Sequence, residues 1–327
     1  MMDWTDRHCR AFHRVLTARA LLYTEMITAE AAIRGDRARV LGFSPVEHPL
    51  ALQLGGSEPK RLEEASAIGA ELGHCEINLN VGCPSDRVQS GRFGACLMRE
   101  PDLVGDCLAA MIAGAGAVPV TLKCRIGVDG QAPEEALFTL ADSAARAGVT
   151  TIIVHARKAW LEGLSPKQNR DVPPLDYALV RRLKRERPHL TVILNGGLRD
   201  LEHAQAESEG LDGVMLGRAA YQTPAILLGV DPLWYGAVAP ALTAEEAVET
   251  YLPYVEARLA DGAPLHTMTR HMLGLFAGAP GGRIWRRILS ERAHKAGAGV
   301  GVIRDALDAT TSKMREAEMR APALGAA

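Results

Sequence analysis

The 327-residue sequence has no CxxC cysteine pair and no apolar run that approaches the length of a membrane span. A spanning helix needs roughly 18 consecutive apolar residues, and the charged N-terminus does not resemble a secretory signal peptide. The six cysteines form neither a zinc-ligand pattern nor the framework of a small disulfide-rich domain. We therefore expect a cytoplasmic protein with reduced thiols, no metal ion and no membrane association.

An overall basic charge, the simplest sign of nucleic-acid binding, is also missing, because the formal net charge is −2. Binding of nucleic acid would have to rely on local clusters. One cluster combines Arg157, Lys158, Lys167 and Arg170 with Trp160 in a long loop, and another lies between residues 266 and 295, where basic side chains greatly outnumber acidic ones. Such faces suit a phosphate backbone, although a solvated helix face is the alternative for the second.

Seven short apolar segments alternate with helix-like stretches in the first two-thirds of the chain, which indicates a parallel α/β fold. The predicted strands are residues 20–26, 49–55, 75–81, 118–126, 150–155, 191–195 and 213–216. An open doubly wound sheet is the alternative, but no Gly-x-Gly-x-x-Gly motif follows the first strand. We expect a (β/α)8 TIM barrel whose first strand is missing from this sequence and would precede Met1.

The character of the chain changes after residues 217–218. Prolines punctuate the following segment, and no further strand-like run appears. Leu252, Val255 and Leu259 share a helical spacing. We therefore predict a TIM-barrel catalytic domain over residues 1–234 and an all-helical domain over residues 235–327.

Polar residues or glycines occur at or just after most of the predicted strands. They are Gln53, Asn80, Lys123 with Arg125, His155 with Arg157, Asn195-Gly196-Gly197, and Gly217-Arg218. Each one alone could be a satisfied polar group or part of a solvated loop. Because the carboxyl ends of barrel strands meet at one face, the set as a whole predicts a shared ligand site.

The last two groups in this series have the residue types of a phosphate site. Backbone N–H groups at glycines and the charge of Arg218 suit a phosphate, and a pair of ordinary turns is the alternative. A phosphorylated cofactor with a flat ring over the strand ends, such as flavin mononucleotide (FMN), would use Lys123 against ring oxygens that become anionic on reduction. Lys123 could otherwise be a buried ion-pair partner.

The stretch from residue 76 to residue 98 reads as a strand, a break at Gly82-Cys83-Pro84, a glycine-rich loop, and Cys96 ahead of an apolar run. A free cysteine usually behaves as a small apolar residue, and we expect Cys75, Cys107 and Cys124 to be structural. Cys83 and Cys96 lie in the loop region after a strand, so they are the candidates for a reactive thiol.

Ten short motifs carry a resemblance that covers nearly the whole chain. They are MMDWTDRHCR at 1–10, QLGG at 53–56, NLNVGCP at 78–84, GACL at 94–97, KCRIG at 123–127, VHARKAW at 154–160, LSPKQNR at 164–170, NGG at 195–197, LGR at 216–218 and RHMLGLF at 270–276. Together they resemble the tRNA-dihydrouridine synthases, specifically the A-type branch, which acts on uridines 20 and 20a of the D-loop.

This resemblance implies an FMN-bearing barrel with a helical tRNA-binding domain that reduces the C5=C6 bond of uridine, using NADPH as the reductant. Hydride from reduced FMN would reach C6, and Cys96 would donate the proton to C5. The implied FMN ligands are Met2, Gln53, Lys123, His155, Asn195, Gly196, Gly197, Gly217 and Arg218. Asn80 would contact the uridine, and Lys167, Arg170, Arg283 and Arg286 would contact the tRNA.

Two other functions are compatible with parts of the sequence. An FMN reductase acting on free pyrimidines or another small molecule would need the barrel but not the basic helical domain. A non-catalytic tRNA-binding protein is suggested by the missing first strand, since the edges of two neighbouring strands would be exposed and the flavin site loosened. We expect the protein to be a monomer.

Overall fold

The computed structural model describes residues 1–85 and 91–320, which form two compact units. The first unit contains Met1–Asp3 and Leu21–Gly217, and the second contains Trp4–Ala20 and the chain from Arg218 onward. None of the helices within the described ranges is both long and apolar enough to cross a membrane.

The first unit is built on one parallel sheet whose seven strands pair in the order in which they occur along the chain. The strands are β1 (Leu22–Thr28), β2 (Leu50–Gly55), β3 (Glu76–Val81), β4 (Val120–Arg125), β5 (Thr151–His155), β6 (Thr191–Asn195) and β7 (Gly213–Met215). This curled parallel sheet confirms the predicted barrel-type α/β architecture with seven strands. The predicted bounds differ by up to two residues, as in β1.

Helices connect the strands and cover one face of the sheet. They are α2 (Ala29–Arg34), α3 (Arg37–Val40), α4 (Pro59–Glu71), α5 (Pro101–Ala115), α6 (Pro133–Arg146), α7 (Tyr177–Glu186) and α8 (Leu201–Glu207). Helix α4 packs so closely that a Cβ on Gly69 would lie 2.5 Å from Leu52 Cδ2 and 2.8 Å from Ile77 Cδ1. Because side chains alternate along a strand, Gln53 and Asn78 lie on the opposite face of the sheet.

The second unit is helical in the part of the chain that the structure describes. Its helices are α1 (Arg7–Arg14), α9 (Arg218–Gln222), α10 (Val230–Tyr235), α11 (Ala244–Ala260), α12 (Leu265–Thr269), α13 (Gly282–Arg292) and α14 (Gly301–Arg320). Phe12, Tyr251 and Trp285 are fully buried and form much of its core. The indole N–H of Trp285 donates to the carbonyl of Met272 at 2.8 Å, so the largest side chain has its polar atom satisfied.

The N-terminal segment Trp4–Ala20 is anchored within the second unit by two carboxylates. Asp6 caps α1 by accepting from the backbone N–H groups of His8 and Cys9, both at 2.9 Å, and its side chain also lies 3.0 Å from His271 Nε2. Residues 4–20 therefore group with the helical part of the chain, and the bounds of the two compact units differ from those of the predicted functional domains 1–234 and 235–327. The bounds of the functional domains stay a prediction.

Asp231 is the second of these anchors and has no exposed surface. It accepts a hydrogen bond from the Thr17 hydroxyl at 2.5 Å and others from the backbone N–H groups of Ala18 and Arg19 at 2.7 and 3.2 Å. A buried carboxylate is tolerated when several donors satisfy it. Asp231 thereby fixes the end of the N-terminal segment.

Candidate functional site

The carboxyl ends of β2 to β6 bring several of the predicted site residues into register. Asn80 is paired with Lys123, and His155 is paired with Asn195. Gln53 accepts a hydrogen bond from the Asn80 side chain at 2.8 Å. The sequence-predicted polar residues of β2 and β3 thus meet directly.

Lys123 is the cationic group of this edge. Its Nζ donates to Asn195 Oδ1 at 3.0 Å, and Asn195 Nδ2 donates to the carbonyl of Met215 at 2.7 Å. Burial, with a further contribution from nearby Arg125, lowers the pKa of Lys123 to about 8. Lys123 is therefore a buried ammonium at neutral pH, and it donates to a neutral amide, that of Asn195. Its positive charge can attract an anionic or electron-rich ligand atom.

Gly196 and Gly197, which follow β6, both adopt positive φ, at +105° and +73°. A Cβ on Gly197 would lie 2.5 Å from Leu175 Cδ1 and 2.8 Å from the Tyr177 hydroxyl, and one on Gly196 would lie 3.1 Å from the His155 ring. Only glycine fits this turn. The turn leaves backbone groups close to His155, as a site for a phosphorylated ligand requires.

Three further predicted FMN ligands, Met2, Gly217 and Arg218, lie close to the points in the chain where a unit begins or ends. A Cβ on Gly217 would lie 3.6 Å from Met1 Sδ, so the N-terminal residue is near the end of β7. Met2 is 49% exposed. Arg218 starts α9 and belongs to the second unit.

Cys96 lies in the 3-10 helix Gly94–Arg99, which follows the loop after β3. Its thiol donates to the carbonyl of Phe93 at 3.0 Å, and burial raises the pKa of Cys96 above its usual value. A half-buried thiol that keeps its proton at neutral pH has the property required of an acid. The preceding residues 86–90 lie outside the described part of the chain.

The other cysteines differ from Cys96 in environment. Cys107 and Cys124 are buried, and burial raises the pKa of each to about 12. Cys75 is exposed, with its thiol 3.2 Å from the carbonyl of Leu50. Cys83 donates to the Ser85 hydroxyl at 3.5 Å.

Arg125 at the end of β4 connects two loops through three backbone carbonyls, a role that its position in the sequence did not reveal. Its guanidinium donates to the carbonyls of Gly82 at 2.8 Å, Lys158 at 2.9 Å and Asn169 at 3.0 Å. Burial lowers the pKa of Arg125 to about 10, so it remains charged at neutral pH. This buried cation ties the loop that leads to Cys96 to the basic loop after β5.

Asn169 in turn organises the basic loop. Its amide N–H groups donate to the carbonyls of Trp160 at 2.8 Å and Leu164 at 3.0 Å, and its Oδ1 accepts from Trp160 N at 2.7 Å. Lys167 is exposed and Arg170 is partly exposed at this loop. Trp160 itself is 43% exposed, so an aromatic ring accompanies the basic residues, as the sequence predicted.

We expect Arg125→Lys to loosen the loop over residues 157–173, because an ammonium cannot reproduce the three separated guanidinium contacts. Each lost bond to a buried carbonyl costs roughly 1–3 kcal/mol. Trypsin should therefore cut within this loop about tenfold faster than in the wild-type protein, as measured by mass spectrometry of the fragments. The matched control is Arg146→Lys, since Arg146 is exposed, and equal cleavage rates in both variants would contradict the assignment.

The second unit carries a basic helix face of its own. On α13, Trp285 and Leu289 are buried, whereas Arg283, Arg286 and Arg287 are exposed. This spacing is that of an amphipathic helix with one face in the core. Arg283 and Arg286, predicted as tRNA contacts, are therefore on the surface, and their role stays a prediction.

Comparison with known proteins gives a consistent result over both units. The family model described as dihydrouridine synthase (Dus) matches residues 1–313. A tRNA-dihydrouridine(20/20a) synthase of Xanthomonas axonopodis pv. citri is 57% identical over 314 residues, covering 96% of this chain and 93% of its own length. One of Vibrio parahaemolyticus serotype O3:K6 is 54% identical over 308 residues, covering 94% of each protein.

Among solved structures, similarity is recorded to the old yellow enzyme homologue of Zymomonas mobilis. The sequence identity is 13% and the TM-score is 0.49, with 68% of this chain and 81% of the other covered.

Proposed function

Because this chain belongs to the dihydrouridine synthase family, we propose that it reduces the C5=C6 bond of uridine to 5,6-dihydrouridine in the D-loop of tRNA. The observation that carries the proposal is the family match, which extends over residues 1–313 and so includes both compact units. The names of the relatives suggest uridines 20 and 20a as the positions. We further propose FMN as the flavin and NADPH as the reductant.

The residues at the strand ends fit a flavin mononucleotide. The turn at Gly196-Gly197 needs glycine because of its positive φ angles and its close packing against His155, Leu175 and Tyr177, and Lys123 provides a buried positive charge. Lys123 and Asn195 would hold the ring oxygens, and the glycine turn with His155 would hold the phosphate. When bound, FMN supplies the hydride that is added to uridine C6.

The protein's own part in the reaction is to bind, orient and protonate. Addition of hydride at C6 places negative charge on C5 and O4 of the base, and a proton must then reach C5. The Cys96 thiol, whose pKa is raised by burial, can donate that proton. The target base must leave its stack to reach the strand ends, and the basic side chains of Lys167, Arg170, Arg283 and Arg286 would hold the surrounding RNA.

The test is reduction of tRNA by the purified protein loaded with FMN and supplied with NADPH. Unmodified tRNA transcripts and free uridine are the two substrates, and dihydrouridine is measured by mass spectrometry of the nuclease digest. We expect product in tRNA and none from free uridine. Equal turnover of both would favour a flavin reductase for small pyrimidines, and tRNA binding without flavin binding would favour a non-catalytic role.

Flavin binding should weaken at alkaline pH through Lys123. The pKa of Lys123 is lowered to about 8 in the ligand-free protein, so the positive charge is present below that pH and lost above it. The Kd for FMN should be constant between pH 6 and 7.5 and rise by up to about tenfold per unit above pH 8. Lys123→Met should bind FMN more weakly and without this pH dependence, and fluorescence titration at each pH measures both effects. A wild-type Kd that is unchanged at pH 9.5 would contradict the role.

We also propose that the protein is a cytoplasmic monomer and that its functional domains are residues 1–234 and 235–327. A tRNA substrate supports the location, and the clustering of basic residues on α13 supports a nucleic-acid role for the C-terminal part of the chain. Sedimentation of the purified protein with and without tRNA measures the oligomeric state.

A further inference from the structure

Polar side chains occupy one face of the sheet where parallel barrels usually have branched apolar layers. On β3, Glu76, Asn78 and Asn80 alternate with apolar residues, and Gln53 on β2 and Thr121 on β4 are the register partners of Asn78. Gln53, Glu76, Asn78 and Thr121 are all less than 10% exposed. Buried polar groups are costly unless each is satisfied, so their connections are informative.

These side chains form one continuous series of hydrogen bonds, here termed the Glu76 chain. It begins at the backbone N–H groups of Gly82 and Cys83, which donate to Asn80 Oδ1, both at 3.0 Å. Asn80 Nδ2 donates to Gln53 Oε1 at 2.8 Å, and Gln53 Nε2 donates to Asn78 Oδ1 at 2.9 Å.

The Glu76 chain continues from Asn78 to a buried carboxylate. Asn78 Nδ2 donates to the Thr121 hydroxyl oxygen at 2.8 Å, and the Thr121 hydroxyl donates to Glu76 Oε1 at 2.7 Å. The Tyr23 hydroxyl donates to the same carboxylate oxygen from β1. Every link therefore donates towards Glu76.

The group at each end of the Glu76 chain has only one possible hydrogen-bonding role. A backbone N–H can only donate and a carboxylate can only accept, so the amides between them have one orientation. Burial raises the pKa of Glu76, and the hydrogen bonds from Tyr23 and Thr121 act against that shift by stabilising the carboxylate. The orientation of the Gln53 and Asn80 amides is thus set by groups on both sides.

We propose that Thr121 and Glu76 are positioning residues, which hold Gln53 and Asn80 so that each offers a hydrogen-bond donor to the bound ligand. A primary amide has two N–H groups, and the Glu76 chain uses one from Gln53 and one from Asn80. The second amide N–H of Gln53 and that of Asn80 favour ligand atoms that accept hydrogen bonds. The carbonyl oxygens of uracil are such atoms, whereas the amino group of cytosine is a donor.

This inference rests on the proposed function, because Gln53 and Asn80 are taken as flavin and uridine contacts. The test uses Thr121→Val, which keeps the side-chain shape but removes the hydroxyl that links Asn78 to Glu76. Thr121→Ser is the rescue variant because it keeps the hydroxyl. Tyr23→Phe is the matched control, since it removes a donor to Glu76 without interrupting the link from Asn78.

The first readout is NMR of the flavin-free protein labelled with ¹⁵N at Asn and Gln. In Thr121→Val the side-chain amide protons of Asn78 and Gln53 should exchange with water about tenfold faster, which corresponds to the loss of one buried hydrogen bond. The second readout is FMN affinity by fluorescence quenching, where the Kd should rise roughly five- to tenfold. Thr121→Ser and Tyr23→Phe should stay within about twofold of the wild-type values.

Amide exchange and FMN affinity in Thr121→Val that equal the wild-type values would overturn the inference, as would a Thr121→Ser variant as impaired as Thr121→Val. If Thr121→Val does not fold, Thr121→Ala interrupts the same link without placing a methyl group at the position of the hydroxyl, and the same two outcomes apply. The exchange measurement needs no flavin. A wild-type protein that failed to bind FMN would therefore overturn the proposed cofactor while the Glu76 chain was still tested.

Discussion

Replacing Cys96 by alanine should lower the rate of dihydrouridine formation in tRNA by about 10²- to 10⁴-fold, the range typical for loss of a general acid. The reason is chemical and local, because the half-buried Cys96 thiol in the loop region after β3 is the proposed proton donor. Flavin affinity and the rate at which NADPH reduces the flavin should stay unchanged, since neither step needs a proton on C5 of uridine. The measurement is single-turnover reduction of a tRNA transcript by pre-reduced enzyme.

Cys83→Ala is the matched control for this experiment. Cys83 lies in the same loop region, and its thiol donates to the Ser85 hydroxyl. We expect its single-turnover rate to remain within about twofold of wild type. If Cys96→Ala retained the full rate, the proton would have to come from another group, and the assignment of Cys96 would be wrong.

Replacing Asp231 by alanine should have the largest effect on stability. Three donors, the Thr17 hydroxyl and the N–H groups of Ala18 and Arg19, would lose their acceptor in a site without solvent exposure. Removing one partner of such a buried charged network costs roughly 3–5 kcal/mol. Against a typical total stability of about 5–15 kcal/mol, the helical unit would become marginal.

Tryptophan fluorescence during urea unfolding measures this effect directly, because Trp4, Trp234 and Trp285 all belong to the second unit. Asp200→Ala is the control, since Asp200 is an exposed helix cap of α8 that accepts from His203 N. Its loss should cost about 1 kcal/mol. An Asp231→Ala transition that coincides with that of the control would show that Asp231 is not the anchor of the N-terminal segment.

The sequence predicted the parallel seven-strand sheet because apolar β-rich segments and helices alternate regularly along residues 20–217. It also placed Gln53, Asn80, Lys123 and Asn195 at strand ends, and the structure brings Gln53 to Asn80 and Lys123 to Asn195 through hydrogen bonds. Periodicity and strand position were sufficient for these. The family resemblance carried by the motifs is confirmed by the family match.

Other features depend on contacts between residues far apart in the chain, and no local pattern revealed them. Arg125 looked like one more polar strand end, although it joins three carbonyls in two loops. Residues 4–20 fall within the predicted barrel domain 1–234, whereas Asp6 and Asp231 hold them within the helical unit. Glu76 was predicted only as a strand residue. Its place at the end of a hydrogen-bond chain can be recognised only from the pairing of β2, β3 and β4.

The division of the second unit between Trp4–Ala20 and the chain after Gly217 has a consequence for biosynthesis. The buried side chains of Cys9, Phe12 and Leu16 leave the ribosome more than 200 residues ahead of Asp231 and Tyr251, which belong to the same unit. At about 5–20 residues per second, these apolar side chains wait roughly 10–40 s for their packing partners. The sheet can form in that interval, so residues 4–20 are synthesised before the sheet but are buried after it.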